Sequence, residues 1–340
     1  MTKLALSANV HVLARDEQFL QIGIHPQRSV LLPRQAQRLL DLLNGCHSLQ
    51  EIVDQLGQDH PETVAVVNAL IKNGLVIECL HKSVEIELGD IQRLNHSRET
   101  LGRHQLAQRR LATEISIYGA GRLGTTIALL LSSSGFPHIR VHDDRAVTSD
   151  DVIAWGAGRL DIGQRRDRVC ALLMERLNRG ALSRQLHPRT STPRKLSIYV
   201  LDSTSDWPWF DPIAVDRLAH DESEHIVVNS SADMVRWSST ISPGNSPCTR
   251  CEYQRTVDRD PQWPIVTQQL RTRRPMDASP AGLIVTGAAS IVSDVNQWLD
   301  GAITDAGAKT VTWPSLEIEF TPWSFHPACG CDWMNDALAA

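Results

Sequence analysis

Apolar and polar residues alternate loosely along Val10-His11-Val12-Leu13 and again along Phe19-Leu20-Gln21-Ile22-Gly23. A period of two marks short, half-buried strands. His25-Pro26-Gln27 supplies a turn, and Arg28 to Leu32 forms the returning strand of a hairpin. The period then lengthens. From Arg34 to Leu43, residues Ala36, Leu39, Leu40 and Leu43 share one helical face, which Asn44-Gly45 closes as a C-cap. Ser48-Leu49-Gln50-Glu51 is a capping box for a second helix with Ile52, Val53 and Leu56 inward. A third helix starts near Pro61 and runs through Val64, Val67, Leu70 and Ile71 to Asn73-Gly74, before a terminal strand Leu75-Val76-Ile77. Residues 1–80 therefore predict a small α+β domain. Residues 81–112 turn polar and charged without an apolar period and read as a linker.

From residue 113 to 340 the pattern becomes that of a doubly wound α/β fold. Glu114-Ile115-Ser116-Ile117-Tyr118 is a short buried-type strand, and Gly119-Ala120-Gly121-Arg122-Leu123-Gly124 follows directly, before an apolar helix from Thr125 to Leu131. Gly119 and Gly121 allow the tight turn and close approach of backbone N–H groups to phosphate, and Gly124 lets the helix pack on the sheet. The helix N-terminus adds partial positive charge. A second strand, Ile139 to Asp143, ends in a carboxylate nineteen residues past Gly124, placed to accept ribose hydroxyls. Ile198 to Asp202 and His225 to Asn229 are further core strands, and Ala281 to Val292 is a helix rich in small apolar residues suited to close packing, subunit against subunit. Asp202 ends one of these strands and could equally cap a helix from Asp211-Pro212 onward.

Length and charge bound the function. The 340 residues suit two domains. A net charge of −5 from 34 basic and 39 acidic residues is too balanced for a nucleic-acid or anionic-membrane partner. No stretch is long and apolar enough to span a membrane, and the N-terminus lacks a secretory signal, so a cytoplasmic protein is expected. Among the seven cysteines, Cys248-Thr249-Arg250-Cys251 and Cys329-Gly330-Cys331 form two chelating pairs. Four thiolates suit tetrahedral zinc, and a site with no open position is structural, with disulfides or unpaired thiols as the competing explanation. Cys46, Cys79 and Cys170 read as small core residues.

Two resemblances sharpen these expectations. Leu20 to Gly23, the Leu39 to Gly45 stretch, the Ser48 to Glu51 start and Asn73-Gly74-Leu75-Val76 resemble the winged-helix, PqqD-like peptide-recognition domains of peptide-modifying systems. Such a domain is expected to add a substrate's leader peptide as a strand at the hairpin edge. A winged-helix dimerisation module is the plainer possibility. The glycine loop and the run Asp143-Asp144-Arg145-Ala146-Val147-Thr148-Ser149-Asp150-Asp151 resemble the ThiF/MoeB adenylyltransferase family, relatives of ubiquitin-activating enzymes. Asp143 and Val147 match that family's pattern, whereas Arg145 replaces a second Asp and Asp150-Asp151 stand in place of Ser-Asn. Val152 to Trp155 lacks the family's triphosphate arginine. Gly163-Gln164-Arg165-Arg166 resembles Gly-Gln-x-Lys, putting Arg166 where a phosphate-binding lysine stands. The resemblance implies ATP with Mg²⁺ held by Gly119, Gly121, Gly124, Asp143, Arg145, Arg166 and Asp202, with Asp202 and Arg166 as the catalytic pair.

The residues flanking the cysteines carry a narrower likeness. Pro247 to Cys251, Asp258 to Pro264 and His326-Pro327-Ala328-Cys329-Gly330-Cys331-Asp332-Trp333 resemble ThiF-type partner proteins of thiazole/oxazole-modified microcin systems, which are commonly fused to an N-terminal peptide-recognition domain. That likeness implies a homodimeric carrier of a precursor-peptide leader that presents it to a separate YcaO-type cyclodehydratase and has little or no catalysis of its own. The alternative is a working adenylyltransferase that activates a peptide or small-protein C-terminal carboxylate. An NAD(P)-dependent oxidoreductase would use the glycine loop and Asp143 but leaves the cysteines unexplained. A regulatory protein on a borrowed fold is the remaining class.

Overall fold

The computed structural model describes residues 3–7, 10–57, 60–79, 109–178, 180, 194–202, 218, 223–270, 279–301 and 305–332, in two units, Met1–Arg109 and Arg110–Ala340. In the first unit β1 (Lys3–Leu6) lies between β5 (Asn44–Ser48) and β6 (Val76–Cys79), antiparallel to both. A second sheet is the antiparallel meander β2 (Val12–Ala14), β3 (Phe19–Ile22) and β4 (Val30–Pro33). Helices α1 (Gln37–Leu42), α2 (Leu49–Leu56) and α3 (His60–Lys72) complete the unit. Leu20, Ile22, Leu39, Leu40, Leu43, Ile52, Val67 and Leu70 form its core. The capping box is present: Glu51 N–H donates to Ser48 Oγ at 3.4 Å, and Ser48 N–H donates to Glu51 Oε2 at 2.7 Å.

This unit departs from the winged-helix expectation of one hairpin and a terminal strand. Asn44 to Ser48, whose ends read as a helix C-cap at Asn44-Gly45 and a capping box from Ser48, pairs through its backbone with Lys3 to Ala5, giving a second three-stranded sheet. The inward stripe of α3 also differs from the predicted one. It is Thr63, Val67 and Leu70, spaced by helical turns, while Ile71 is 37% exposed because one residue past Leu70 is rotated by about 100°.

The second unit is built on a seven-stranded mixed sheet of order β13-β12-β11-β10-β9-β7-β8. Its parallel half is β7 (Thr113–Tyr118), β8 (His138–His142), β9 (Arg194–Asp202) and β10 (His225–Ser230). The antiparallel half is β11 (Met234–Ser238), β12 (Gly307–Thr312) and β13 (Ile318–Pro322). Helices α4 (Arg122–Ser133), α5 (Arg166–Leu177) and α8 (Ala281–Asp300) cover one face. The cysteine region adds α6 (Thr249–Arg259) and α7 (Trp263–Leu270). Alternation along β7 turns Ile115 and Ile117 into the main core, where they meet Leu123, Ile127 and Leu131 of α4.

Helix α8 packs closely within the chain. Its Leu283, Ile284, Ala288, Ile291, Val295 and Leu299 are fully buried in that same core, packed on α4. A Cβ at Gly287 would come within 2.8 Å of Val235 on β11. Gly287 and Ala288 therefore serve close packing within the chain, while Ala281, Gly282 and Ala289 lie on the exposed side of the helix. Asp294 of α8 accepts from Trp237 Nε1 at 2.7 Å and from Lys309 Nζ at 2.6 Å, tying the helix to β11 and β12. Residues 81–108 of the predicted linker lie outside the described residues. Arg110, at its end, is buried in the second unit, donating to the Ser134 carbonyl and stacking over Phe136. No described helix is long and apolar enough to cross a membrane.

Candidate functional site

The chain leaves β7 at Tyr118 and turns at Gly119, whose φ of +105° and approach to Val200 exclude a side chain: a Cβ would lie 2.4 Å from the Val200 carbonyl oxygen. At Gly124 the neighbour is the loop itself, with the Gly119 carbonyl oxygen 1.9 Å from a Cβ. Gly121 N-caps α4 in an extended conformation. The tight strand–loop–helix junction of a nucleotide-binding fold is thus enforced by backbone contact.

Residues 143–147 and 163–167 run antiparallel beyond this loop. Val147 N–H donates to the Gln164 carbonyl, Gly163 N–H to that of Val147, Arg166 N–H to that of Arg145, and Asp167 N–H to that of Asp143, all at 2.8–3.0 Å. This ladder brings Asp143, Arg145 and Arg166 together with Asp151. Asp143 Oδ1 accepts from Arg145 Nε at 2.8 Å and from the Arg145 backbone N–H at 3.2 Å; Oδ2 accepts from Arg145 Nη2 at 2.8 Å and from Ala120 N–H at 2.7 Å. Arg166 Nη1 stands 3.6 Å from the same Oδ2, while its Nε and Nη2 bind Asp151 Oδ2 at 2.9 and 2.8 Å. Asp151 also accepts from Thr148 N–H at 2.7 Å. Burial works to raise the pKa of Asp143, but hydrogen bonds from Arg145 and Ala120 and the nearby Arg166 charge overcome it and hold the carboxyl below the usual range. The Arg145 guanidinium is correspondingly stabilised by Asp143.

This arrangement does not fit a bound ribose. A carboxylate offers about four lone-pair positions, and Ala120 together with three N–H groups of Arg145 meets them all. Arg166 is likewise committed to Asp151, a partner the sequence did not suggest. Asp202 ends β9 beside Ser230 of β10, at the same carboxyl edge of the sheet. Its side chain, and the predicted cap at residues 211–212, lie outside the described residues.

A second cluster forms where α6 begins. Cys248 N-caps α6 and Cys251 occupies its first turn, with Cys251 N–H donating to the Cys248 carbonyl at 3.0 Å. The other pair turns at Gly330, with φ of +68°. All four sulfurs lie within 4.8 Å of one another, Cys248 Sγ being 3.5 Å from Cys329 Sγ and Cys251 Sγ 3.2 Å from Cys331 Sγ. These separations exceed an S–S bond of about 2.05 Å and approach the ~3.8 Å edge of a tetrahedron with ~2.3 Å metal–sulfur bonds. Four soft donors in that spacing could hold a metal ion. Cys251 is held far below the ordinary thiol range by hydrogen bonds from Cys248, Cys329 and Cys331 and from the His326 N–H, and Cys329 is driven far above it by Cys248 and Cys251. The His326 ring is engaged elsewhere, with Nε2 on Asp258 Oδ2 at 2.8 Å and Nδ1 accepting from Ala328 N–H at 3.1 Å. Trp333, the last residue of the flanking motif, lies outside the described residues. Of the remaining cysteines, Cys170 is buried and its thiol is pushed up to about 12 by burial. Cys46 is exposed on β5, contrary to its reading as a core residue, and the Cys79 side chain lies outside the described residues.

No protein-family model matches the chain, and no curated protein matches it by sequence. Among solved structures it is similar to E. coli MccB bound to AMPCPP and selenomethionine-labelled MccA, with a TM-score of 0.65, 13% identity, and coverage of 97% of this chain and 99% of that one. The microcin C7 biosynthetic enzyme MccB in complex with N-formylated MccA gives a TM-score of 0.61 at 14% identity, covering 98% of this chain and 100% of that one. The heterocyclase TruD gives 0.62 at 16% identity, covering 99% of this chain and 44% of that one. The fold is therefore that of MccB and of part of TruD.

Proposed function

We propose that this chain is a ThiF-like partner protein in ribosomal peptide modification, which binds a precursor peptide's leader and presents it to a separate YcaO-type cyclodehydratase. The observation that carries the proposal is the shared fold, over 97–99% of the chain, with MccB bound to MccA and with the heterocyclase TruD. MccA occurs in N-formylated and selenomethionine forms, hence is an amino-acid chain. The first unit supplies a suitable edge: β2 and β4 flank their sheet with Leu13 and Leu31 exposed by 43% and 47%, and an added peptide strand would find both main-chain partners and apolar contacts there. The cysteine cluster is assigned structural zinc, since four thiolates leave no open coordination position. A homodimer and a cytoplasmic location belong to the same proposal, and sedimentation of the purified chain tests the dimer.

An active ATP-dependent adenylyltransferase is the second reading, favoured by MccB's complexes with AMPCPP and ATP. Gly119, Gly121, Gly124, Asp143, Arg145, Arg166 and Asp202 would form its nucleotide site, with Asp202 and Arg166 catalytic. The two readings separate in one experiment. Leader-peptide binding at submicromolar affinity without peptide-dependent pyrophosphate exchange supports the partner role; exchange with a candidate peptide supports the enzyme. Peptide binding that survives deletion of residues 1–80 would sink the role given to the first unit.

A further inference from the structure

We infer that Arg145 is a built-in stopper of the ribose subsite, so that the fold retains its nucleotide loop while its nucleoside acceptor is filled from within. The inference deepens the partner-protein reading and fails separately from it, because it concerns nucleotide affinity and not peptide binding. Three observations converge. The Asp143 carboxylate is buried, with its side chain 2% exposed, and its lone-pair positions are met by Ala120 N–H and three N–H groups of Arg145. Arg145 reaches it from only two residues away, in a planar two-point contact that a lysine could not copy. The antiparallel ladder between residues 143–147 and 163–167 fixes the backbone on both sides, so the pair does not depend on a flexible loop.

The neighbouring cation cannot take over the role. Arg166, 12% exposed, is held by Asp151 on two nitrogens and approaches Asp143 only at 3.6 Å. The guanidinium of Arg145 is 49% exposed, more open to solvent than Asp143, Asp151 or Arg166. A ribose diol must donate two hydroxyl protons to Asp143, and each requires an oxygen lone pair that Arg145 now occupies. Binding of a ribonucleotide is thus coupled to expulsion of Arg145, and its apparent affinity is lowered by the population of the closed state.

The test is titration of the full-length protein with ATP and with 2′,3′-dideoxy-ATP, for the wild type and for Arg145→Ala and Arg145→Lys, with thermal melting as a check on folding. Arg145→Ala should bind ATP roughly tenfold more tightly than the wild type, a difference of about 1.4 kcal/mol. Dideoxy-ATP should not share the gain, since it has no hydroxyl to give to Asp143. Arg145→Lys, which keeps the charge but loses the fork, should fall between. Equal ATP affinity in wild type and folded Arg145→Ala would overturn the inference, as would a gain shared fully by the dideoxy nucleotide.

Discussion

The cysteine cluster and the glycine-loop cluster lie in the same unit, yet they treat polar groups in opposite ways. Around Asp143 two carboxylates and two guanidiniums answer one another within hydrogen-bond distance. Around Cys251 four like donors face inward to one point, with the His326 N–H as a further donor to Cys251. Opposite charges complete each other, whereas four converging thiols are a donor set that could hold a metal ion. One cluster could therefore hold a metal ion, and the other is closed by ion pairs among its own side chains.

The largest effect should come from emptying the metal shell. Structural zinc in small finger peptides contributes apparent binding energies of about 10–16 kcal/mol, and Cys251 is fully buried against Val227, Tyr253 and Trp323. Cys251→Ser, or prolonged chelation, should abolish stoichiometric metal and lower the melting temperature by more than any substitution at the glycine loop or at Arg145. Metal analysis beside calorimetry checks this; a metal-free wild type that melts normally would reverse the contrast. At the glycine loop the expected effect is steric. Gly124→Ala puts a methyl 1.9 Å from a backbone oxygen that has nowhere to move, costing about 3 kcal/mol or more. Gly163→Ala has open space around it and only its φ of +90° to resist the change, at about 1–2 kcal/mol. Denaturant unfolding of the two variants should rank them in that order.

Local signals made much of this legible in the sequence. Strand, glycine loop and helix announce themselves by period and by Gly119 and Gly124, and Ser48 with Glu51 marks the start of α2 because capping is a contact within one turn. The cysteine pairs were visible because chelation favours short spacing, although Cys251 and Cys331 meet only through the fold. What was not legible is tertiary. Strands β1 and β5 pair polar or short segments through backbone bonds that carry no side-chain period. Arg145 showed as a substitution, but its grip on Asp143 depends on the ladder from residues 163–167, and Asp151 became Arg166's partner by the same route. The small residues of α8 suggest close packing; whether the partner lies inside or outside the chain is not written in them.

An effect no larger than that at Gly163 tests the ion-pair half of the contrast by pH. The Asp143 carboxyl titrates below its ordinary value in the folded protein, because Arg145 and Ala120 outweigh burial. Unfolded, it titrates near 3.9. The unfolded chain therefore binds the proton more readily, so the pair's stabilisation is complete above about pH 4 and is lost as pH falls through the lower folded value. Replacing Arg145 by Gln leaves burial opposed chiefly by Ala120 and Arg166, which moves the folded pKa upward and removes that contribution. With one partner buried and the other half exposed, the loss at neutral pH should be about 1–2 kcal/mol, between the values for exposed and buried pairs. Stability of Arg145→Gln measured from pH 6 to pH 2.5 should start lower than the wild type and converge with it at the acid end. Parallel curves would mean that the Asp143–Arg145 pair is not what distinguishes this site, and the self-satisfied cluster would lose its central contact.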